Sequence, residues 1–469
     1  MSRTLVAGVD SSTQSTKVVV CDADTGEVLR TGRAPHPEGT EIHPDRWRDA
    51  FRTATADGLL DGVAAIAVGG QQHGMCALDD RGEVVRDALL WNDTRSATAA
   101  SELVAELGGS TAWVEAVGLV PVASFTVTKL RWLAEHEPDH AARVHDVVLP
   151  HDWLTGQILK HGKGFREWTT DRGDASGTGY WSPITGGYRP DLLERAFGRV
   201  VGTPRVAGPS EAVGETDSGM LVAPGTGDNM AAALGLGVRP GDVVVSLGTS
   251  GAVFGEHPAP VFDTGGDVAS FASATGDHLP LMCTLNAARV LTAAASMLGT
   301  DLAGLDALAL AAEPGAGGLT LLPYLDGERT PNLPDATGTL GGLTRANATP
   351  ENLARAAVEG MLCNLVAGVG SLTRLGVQAR RVLLIGGASA STAVRGVAPM
   401  LFGVPVVVPS PGEYVAVGAA RQAAWALRGG DAPPVWQVGT ESELDPHPGP
   451  EGSHVTSRYA ALLRTVHGR

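Results

Sequence analysis

Cysteine is scarce in this chain and lysine is equally so. The 469 residues include four cysteines, Cys21, Cys76, Cys283 and Cys363, far apart and with no CxxC pair. That distribution supports neither a zinc site nor a disulfide framework, and points to packed, reduced thiols in a cytoplasmic protein. The lysines are Lys17, Lys129, Lys160 and Lys163. Lysine and arginine together number 35 against 51 acidic residues, a net charge of −16. So acidic a chain is poorly suited to neutralising nucleic-acid phosphates or an anionic membrane surface, so neither partner is expected. No apolar stretch is expected to reach the roughly 20 residues that span a bilayer. Met1-Ser2-Arg3-Thr4 leads straight into a strand-like segment with no signal-peptide core. Also missing are GxxxxGK[ST] and GxSxG, which excludes a P-loop and removes the anchor of an α/β-hydrolase reading.

What is present is apolar enough to fold. Hydrophobic residues make up 43% of the chain, and its length exceeds what one core usually holds, so at least two domains are expected. The apolar runs Leu5 to Val9 and Lys17 to Cys21 flank a short polar turn and predict a hairpin, with a third strand at Glu27 to Thr31. His43 to Leu60 has helical spacing, and Val63 to Val68 reads as a buried strand ending at Gly69-Gly70. The pattern restarts in the second half. Asp242 to Ser246 and Ala252 to Phe254 flank another polar turn, followed by a helix near Pro350 to Leu375, a strand at Val382 to Ile385 and a helix at Val417 to Leu427. This weak repeat predicts two similar α/β domains, 1–239 and 240–469, with a cleft between them.

Six segments carry chemistry. In Asp10-Ser11-Ser12-Thr13-Gln14-Ser15-Thr16-Lys17, small hydroxyl residues leave backbone N–H groups able to cradle phosphate. Asp10 is an oxygen donor suited to Mg²⁺, and Lys17 adds a positive charge. Ser246-Leu247-Gly248-Thr249-Ser250-Gly251 has the same character. Alone, each also reads as an ordinary polar hairpin; as a pair facing a cleft they could hold a nucleoside triphosphate. Gly225-Thr226-Gly227-Asp228-Asn229 presents a carboxylate that is either a helix cap or a general base for a substrate hydroxyl. Gly69-Gly70-Gln71-Gln72-His73-Gly74 and Leu90-Trp91-Asn92-Asp93-Thr94-Arg95 place polar side chains after apolar runs, where α/β folds bind ligands. Leu384-Ile385-Gly386-Gly387-Ala388-Ser389-Ala390-Ser391 lets a ribose or adenine approach the backbone, or is a plain strand–helix turn.

These motifs, with two longer ones, resemble the FGGY carbohydrate kinases of the actin-like ATPase superfamily. One signature is Ser124-Phe125-Thr126-Val127-Thr128-Lys129-Leu130-Arg131-Trp132-Leu133-Ala134-Glu135-His136. The other runs from Gly338-Thr339-Leu340-Gly341-Gly342-Leu343 to Asn352-Leu353-Ala354-Arg355-Ala356-Ala357-Val358-Glu359. The resemblance spans Asp10 to about Leu427 and implies two ribonuclease H-like domains, the N-terminal one for sugar and the C-terminal one for nucleotide. Its branch most similar here, judged also from Leu322-Pro323-Tyr324-Leu325-Asp326-Gly327-Glu328-Arg329-Thr330-Pro331, phosphorylates D-xylulose with Mg-ATP. The resemblance implies Asp228 as catalytic base and Asp10 as the Mg²⁺-linked residue. Gln72, His73, Gly74, Asp93 and Asn229 become the sugar site. Ser12, Thr13, Lys17, Gly248, Thr249, Ser250, Gly387, Ala388 and Ser391 become the ATP site. A homodimer is also compatible with it.

The sequence departs from the pattern at Gln72, where several bacterial relatives carry Met, and at Ala388 and Ala390, where many carry Gly and Arg. Two alternatives stay open. One is the same chemistry on another ketose or polyol, such as ribulose, gluconate or glycerol, though glycerol kinases usually carry an Arg-Glu pair near Gln72-His73. The other is a non-enzymatic actin-like ATP-binding switch, which would need neither Asp228-Asn229 nor His73.

Overall fold

The structure is a computed structural model describing residues 3–160, 164–447 and 449–468, so Met1, Ser2 and Lys163 lie outside the described residues. The chain divides into two compact α/β units. The first comprises Met1–Val238, Pro258–Leu279 and Gly412–Val438; the second comprises Arg239–His257, Pro280–Pro411 and Gly439–Arg469.

In the first unit β1 (Leu5–Ser11), β2 (Ser15–Asp22) and β3 (Val28–Pro35) form an antiparallel meander. Strand β4 (Val63–Gly70) lies parallel to the other side of β1, followed outward by β5 (Leu221–Val222), while β6 (Thr226–Gly227) also pairs with β4. The valine-rich runs are nearly continuous because both faces of this sheet are covered. Ala7, Val9, Val18, Val20, Ile66 and Val68 pack with Trp47 and Trp153 on one side. Val6, Val19, Cys21, Ala65 and Ala67 meet an alanine row, Ala416, Ala419, Ala420 and Ala423, on the other.

Five helices of this unit matter below: Asp45–Ala54, α1 (Thr126–His136), α2 (Pro150–Lys160), α3 (Asp228–Leu236) and α4 (Tyr414–Arg428). The helical spacing seen over 43–60 stops at Ala54, because Asp57 and Gly58 take left-handed backbone (φ 55° and 74°) and break the helix. Helix α4 lies so close to β1 and α3 that no side chain fits between. A Cβ on Gly8 would sit 1.9 Å from the carbonyl oxygen of Ala416, and one on Gly418 would sit 1.8 Å from that of Ala231.

The second unit repeats the opening. Asp242–Leu247 pairs antiparallel with Gly251–Phe254, which pairs antiparallel with Leu281 to Thr284 of the next strand. Asp242–Leu247 also runs parallel to Arg381–Ile385, followed by Val406–Pro409 and the antiparallel Thr440–Leu444. Contrary to the expectation that no apolar stretch is so long, helix Pro350–Arg374 is long and apolar enough to cross a membrane by length and composition. It is a core helix: 67% of its apolar stretch is buried inside the protein, and Arg355 bonds Glu359 on its buried face at 2.7 Å.

Candidate active site

Register gathers the first unit's chemistry at one sheet edge. Asp10 pairs with Gly69 and Ser11 with Gly70; Thr226 and Gly227 pair with the same two glycines. Three parallel strands therefore end side by side. They deliver Asp10, the Gln71-Gln72-His73 loop and Asp228 at their carboxyl ends, where open α/β sheets bind ligands.

Asp228 opens α3. A helix N-terminus favours a carboxylate, and Asn229 donates to its Oδ1 from both backbone N (2.8 Å) and Nδ2 (2.9 Å). Burial and, after it, the negative charge of Asp10 outweigh these and push its pKa up to about 7. Asp10 is buried at the end of β1. Burial raises its pKa too, against a hydrogen bond from the Ser12 hydroxyl and the Lys17 ammonium group at 3.4 Å. Lys17 also reaches Glu413, at 2.6 Å.

The remaining candidates fall into distinct surroundings. Thr13 accepts a hydrogen bond from Trp91 Nε1 (2.8 Å), which ties the turn of the first hairpin to the polar cluster at 90–93. Burial would raise the pKa of Asp93, but Arg95, donating from Nε at 2.8 Å, holds it below the usual range. Gln72 is buried; its Oε1 accepts weakly from Asn229 (3.5 Å), and its Nε2 has no hydrogen-bond partner among the described residues. That arrangement joins the 71–73 loop to the residue beside Asp228. His73 has φ +68°, a strained conformation for a residue with a Cβ, costing on the order of 1–3 kcal/mol. Its Nδ1 meets the Gly177 carbonyl at 2.7 Å; a carbonyl only accepts, so Nδ1 carries the proton. Gly74 lies against Pro150, where a Cβ would come within 2.5 Å of its ring.

In the second unit the Gly248 and Thr249 carbonyls accept from Ala288 N (2.9 Å) and Ala287 N (3.3 Å), while the Thr249 side chain is exposed and Ser250 is half-buried. Gly387 is exposed and Ala388 buried in the turn after Arg381–Ile385. The Ser391 hydroxyl caps helix Thr392–Phe402 and donates to Asp306 at 2.6 Å.

Sequence reasoning missed the support beneath Asp228. Asp171 accepts from the Thr226 hydroxyl at 2.7 Å and from the N–H groups of Gly173 and Asp174 (both 2.8 Å), which fastens β6 two residues before Asp228. Gln422 on α4 donates to the Gly225 carbonyl at 3.0 Å. Below lies a fully buried ion cluster. His151 meets Asp174 through Nδ1 (2.6 Å) and Asp152 through Nε2 (3.3 Å). Burial alone would lower the imidazole pKa, but the two carboxylates raise it; burial raises both aspartates. Candidate ligand atoms of these three lie within 4.8 Å of one another. Each ring nitrogen already faces its own carboxylate, the arrangement of an internal ion cluster rather than of a metal shell. His151 and Asp152 closely follow the short strand Asp146–Val148, which is a signal of position but not of pairing.

Two α/β units, with paired acids at a strand edge and hydroxyl-rich hairpin turns, define a phosphotransferase-type frame. The model of the FGGY carbohydrate-kinase N-terminal domain matches residues 5–235, and that of the C-terminal domain matches residues 243–427. The chain belongs to the FGGY family of carbohydrate kinases, enzymes that use ATP as phosphoryl donor. It is 47% identical to a xylulose kinase of Streptomyces coelicolor over 459 residues, covering 94% of this chain and 92% of that one. The crystal structure of a xylulose kinase from Bifidobacterium adolescentis superposes with a TM-score of 0.91 at 45% identity, covering 98% and 99% of the two chains. A gluconate kinase from Lactobacillus acidophilus gives the same TM-score at 21% identity, covering 99% and 98%, and shares the fold alone.

Proposed function

We propose that this chain transfers the γ-phosphoryl group of ATP to D-xylulose, forming D-xylulose 5-phosphate. The observation that carries the reading is Asp228, a carboxylate pushed up to about 7 and joined through Asn229 to Gln72. A base with a pKa near the working pH is matched to taking a hydroxyl proton as phosphorus is attacked. The likeness to xylulose kinases at 45–47% identity supports the choice of sugar.

In this reading Gln72, His73, Gly74, Asp93 and Asn229 bind the sugar on the N-terminal half, 1–239. Ser12, Thr13 and Lys17 bind phosphate. On the C-terminal half, 240–469, Gly248, Thr249, Ser250, Gly387, Ala388 and Ser391 contact the nucleotide. Asp228 accepts the hydroxyl proton, and Asn229 keeps its Oδ1 oriented.

Asp10 fits Mg²⁺. It is a hard-oxygen donor whose charge raises the pKa of Asp228, a repulsion that a divalent cation would relieve. A bound Mg²⁺ would neutralise charge on the transferring phosphoryl group. The four cysteines are all free, in keeping with a cytoplasmic setting.

The test is a coupled ADP-release assay with Mg-ATP against D-xylulose, L-xylulose, D-ribulose, L-ribulose, gluconate and glycerol. D-xylulose giving by far the highest kcat/KM supports the reading; another sugar winning replaces the substrate. ADP release unaffected by any sugar overturns the sugar reading outright.

A further inference from the structure

One helical turn holds His73 by both its backbone and its ring. Lys129 on α1 is fully buried, and its ammonium group donates to the carbonyl oxygens of His73 (3.1 Å) and of Ser124. The Thr126 hydroxyl donates to the same His73 carbonyl at 3.2 Å. Phe125, one residue before, lies against the His73 imidazole with ring centroids 4.6 Å apart, and Phe271 lies 5.7 Å away. Gly177 closes the fourth side, with its carbonyl on Nδ1 and no room for a side chain: a Cβ there would be 2.8 Å from the ring.

Burying an ammonium group is costly unless it is paired, so packing alone would be served better by Met or Leu. What the charge adds here is a strong grip on two carbonyls, one of which belongs to a residue in left-handed backbone. A strained residue persists only where its surroundings over-determine it. We propose that Lys129 is a positioning residue for the sugar, its ammonium group locking the His73 backbone so that the imidazole is presented in one orientation. This rests on the reading of His73 as a sugar contact. Lys129 acts through His73 and has no part in phosphoryl transfer.

The experiment is a double-mutant cycle of Lys129→Met and His73→Ala. Each variant is assayed for KM of D-xylulose, KM of ATP, kcat and thermal midpoint. Lys129→Met is expected to raise the sugar KM about tenfold, with the ATP KM within about twofold, because the His73 and Ser124 carbonyls each lose a charged donor and only the Thr126 hydroxyl still holds His73. In the His73→Ala background the same change is expected to leave the sugar KM nearly unaltered. A folded Lys129→Met protein with unchanged sugar KM overturns the proposal. So does an equal rise with and without His73, which is what a purely structural lysine would give. Should Lys129→Met fail to fold, Thr126→Val replaces it in the cycle, with an expected rise of a few-fold judged by the same criterion. If wild type prefers another sugar of the panel, D-xylulose is wrong and the cycle is read on that sugar. If it phosphorylates none, the proposed function and this inference fall together.

Discussion

The two hairpins that open the two units share a topology and differ in charge. In each, a first strand pairs antiparallel with its hairpin partner and parallel with a strand far along the chain, β1 with β4 and Asp242–Leu247 with Arg381–Ile385. The first hairpin ends β1 in a buried aspartate and faces it with Lys17, whereas Ser246 to Gly251 carries no charged side chain. A repeated backbone thus offers N–H groups and hydroxyls in both units, and only the first adds ionised groups. Beside that first hairpin, β4 and β6 end in register with β1 and bring in Asp228. The duplicated fold supplies the same hairpin turn twice, while the charged groups beside it depend on what neighbouring strands deliver to one of them.

The largest effect should come from Asp228→Ala. Loss of a general base is expected to lower kcat about 10²–10⁴-fold while ATP still binds, checked by turnover and by nucleotide titration. A near wild-type rate would remove Asp228 from the chemistry. Next, Asp10→Asn should cost far more turnover than Thr249→Ala, for which about a tenfold rise in the ATP KM is expected from the loss of one hydroxyl contact. Equal costs would break the contrast between the charged and uncharged hairpins.

Packing sharpens the contrast from another side. Gly418→Val would drive a side chain into the Ala231 carbonyl on α3, the helix that begins with Asp228. The expected loss is about 1–3 kcal/mol or more of stability, read from denaturant midpoints. Gly387→Ala, at a turn where none of the described residues lies within 4 Å of the added Cβ, should change stability little.

Much of this was legible in the residues, for reasons that can be named. Val-rich runs flanking a hydroxyl turn specify a hairpin locally, and strands buried on both faces read as unbroken apolar runs, so β1, β2 and β4 were visible. Asp10 and Asp228 stood out as acids at element ends. Invisible were contacts formed only by long-range register: Asp171 on Thr226, Gln422 on Gly225 and Lys129 on His73. Each joins residues at least 55 positions apart, and nothing in a lone Lys, Gln or Asp announces its partner. Helix Asp45–Ala54 ends before its apolar spacing does, because Asp57 and Gly58 turn the backbone left-handed; Gly58 marks that break in the sequence, whereas Asp57 does not.

The smallest predicted effect concerns pH. Asp228 has a folded pKa of about 7, above the roughly 3.9 of an unfolded aspartate. Between those values the folded state binds more protons than the unfolded one, so this residue's contribution to stability falls as pH rises from about 4 to 7, then levels off. Asp228→Asn, which cannot ionise, escapes that loss. Its melting temperature should therefore exceed wild type by a few degrees at pH 8, with the gap closing toward pH 5. The opposite limb appears in catalysis, where the base must be ionised: wild-type kcat/KM should rise with pH through about 7. Asp10→Asn removes the neighbouring negative charge, so its residual kcat/KM should rise at lower pH than wild type. An acid limb that stays in place would mean that burial alone raises Asp228, and that the charged hairpin does not tune its base.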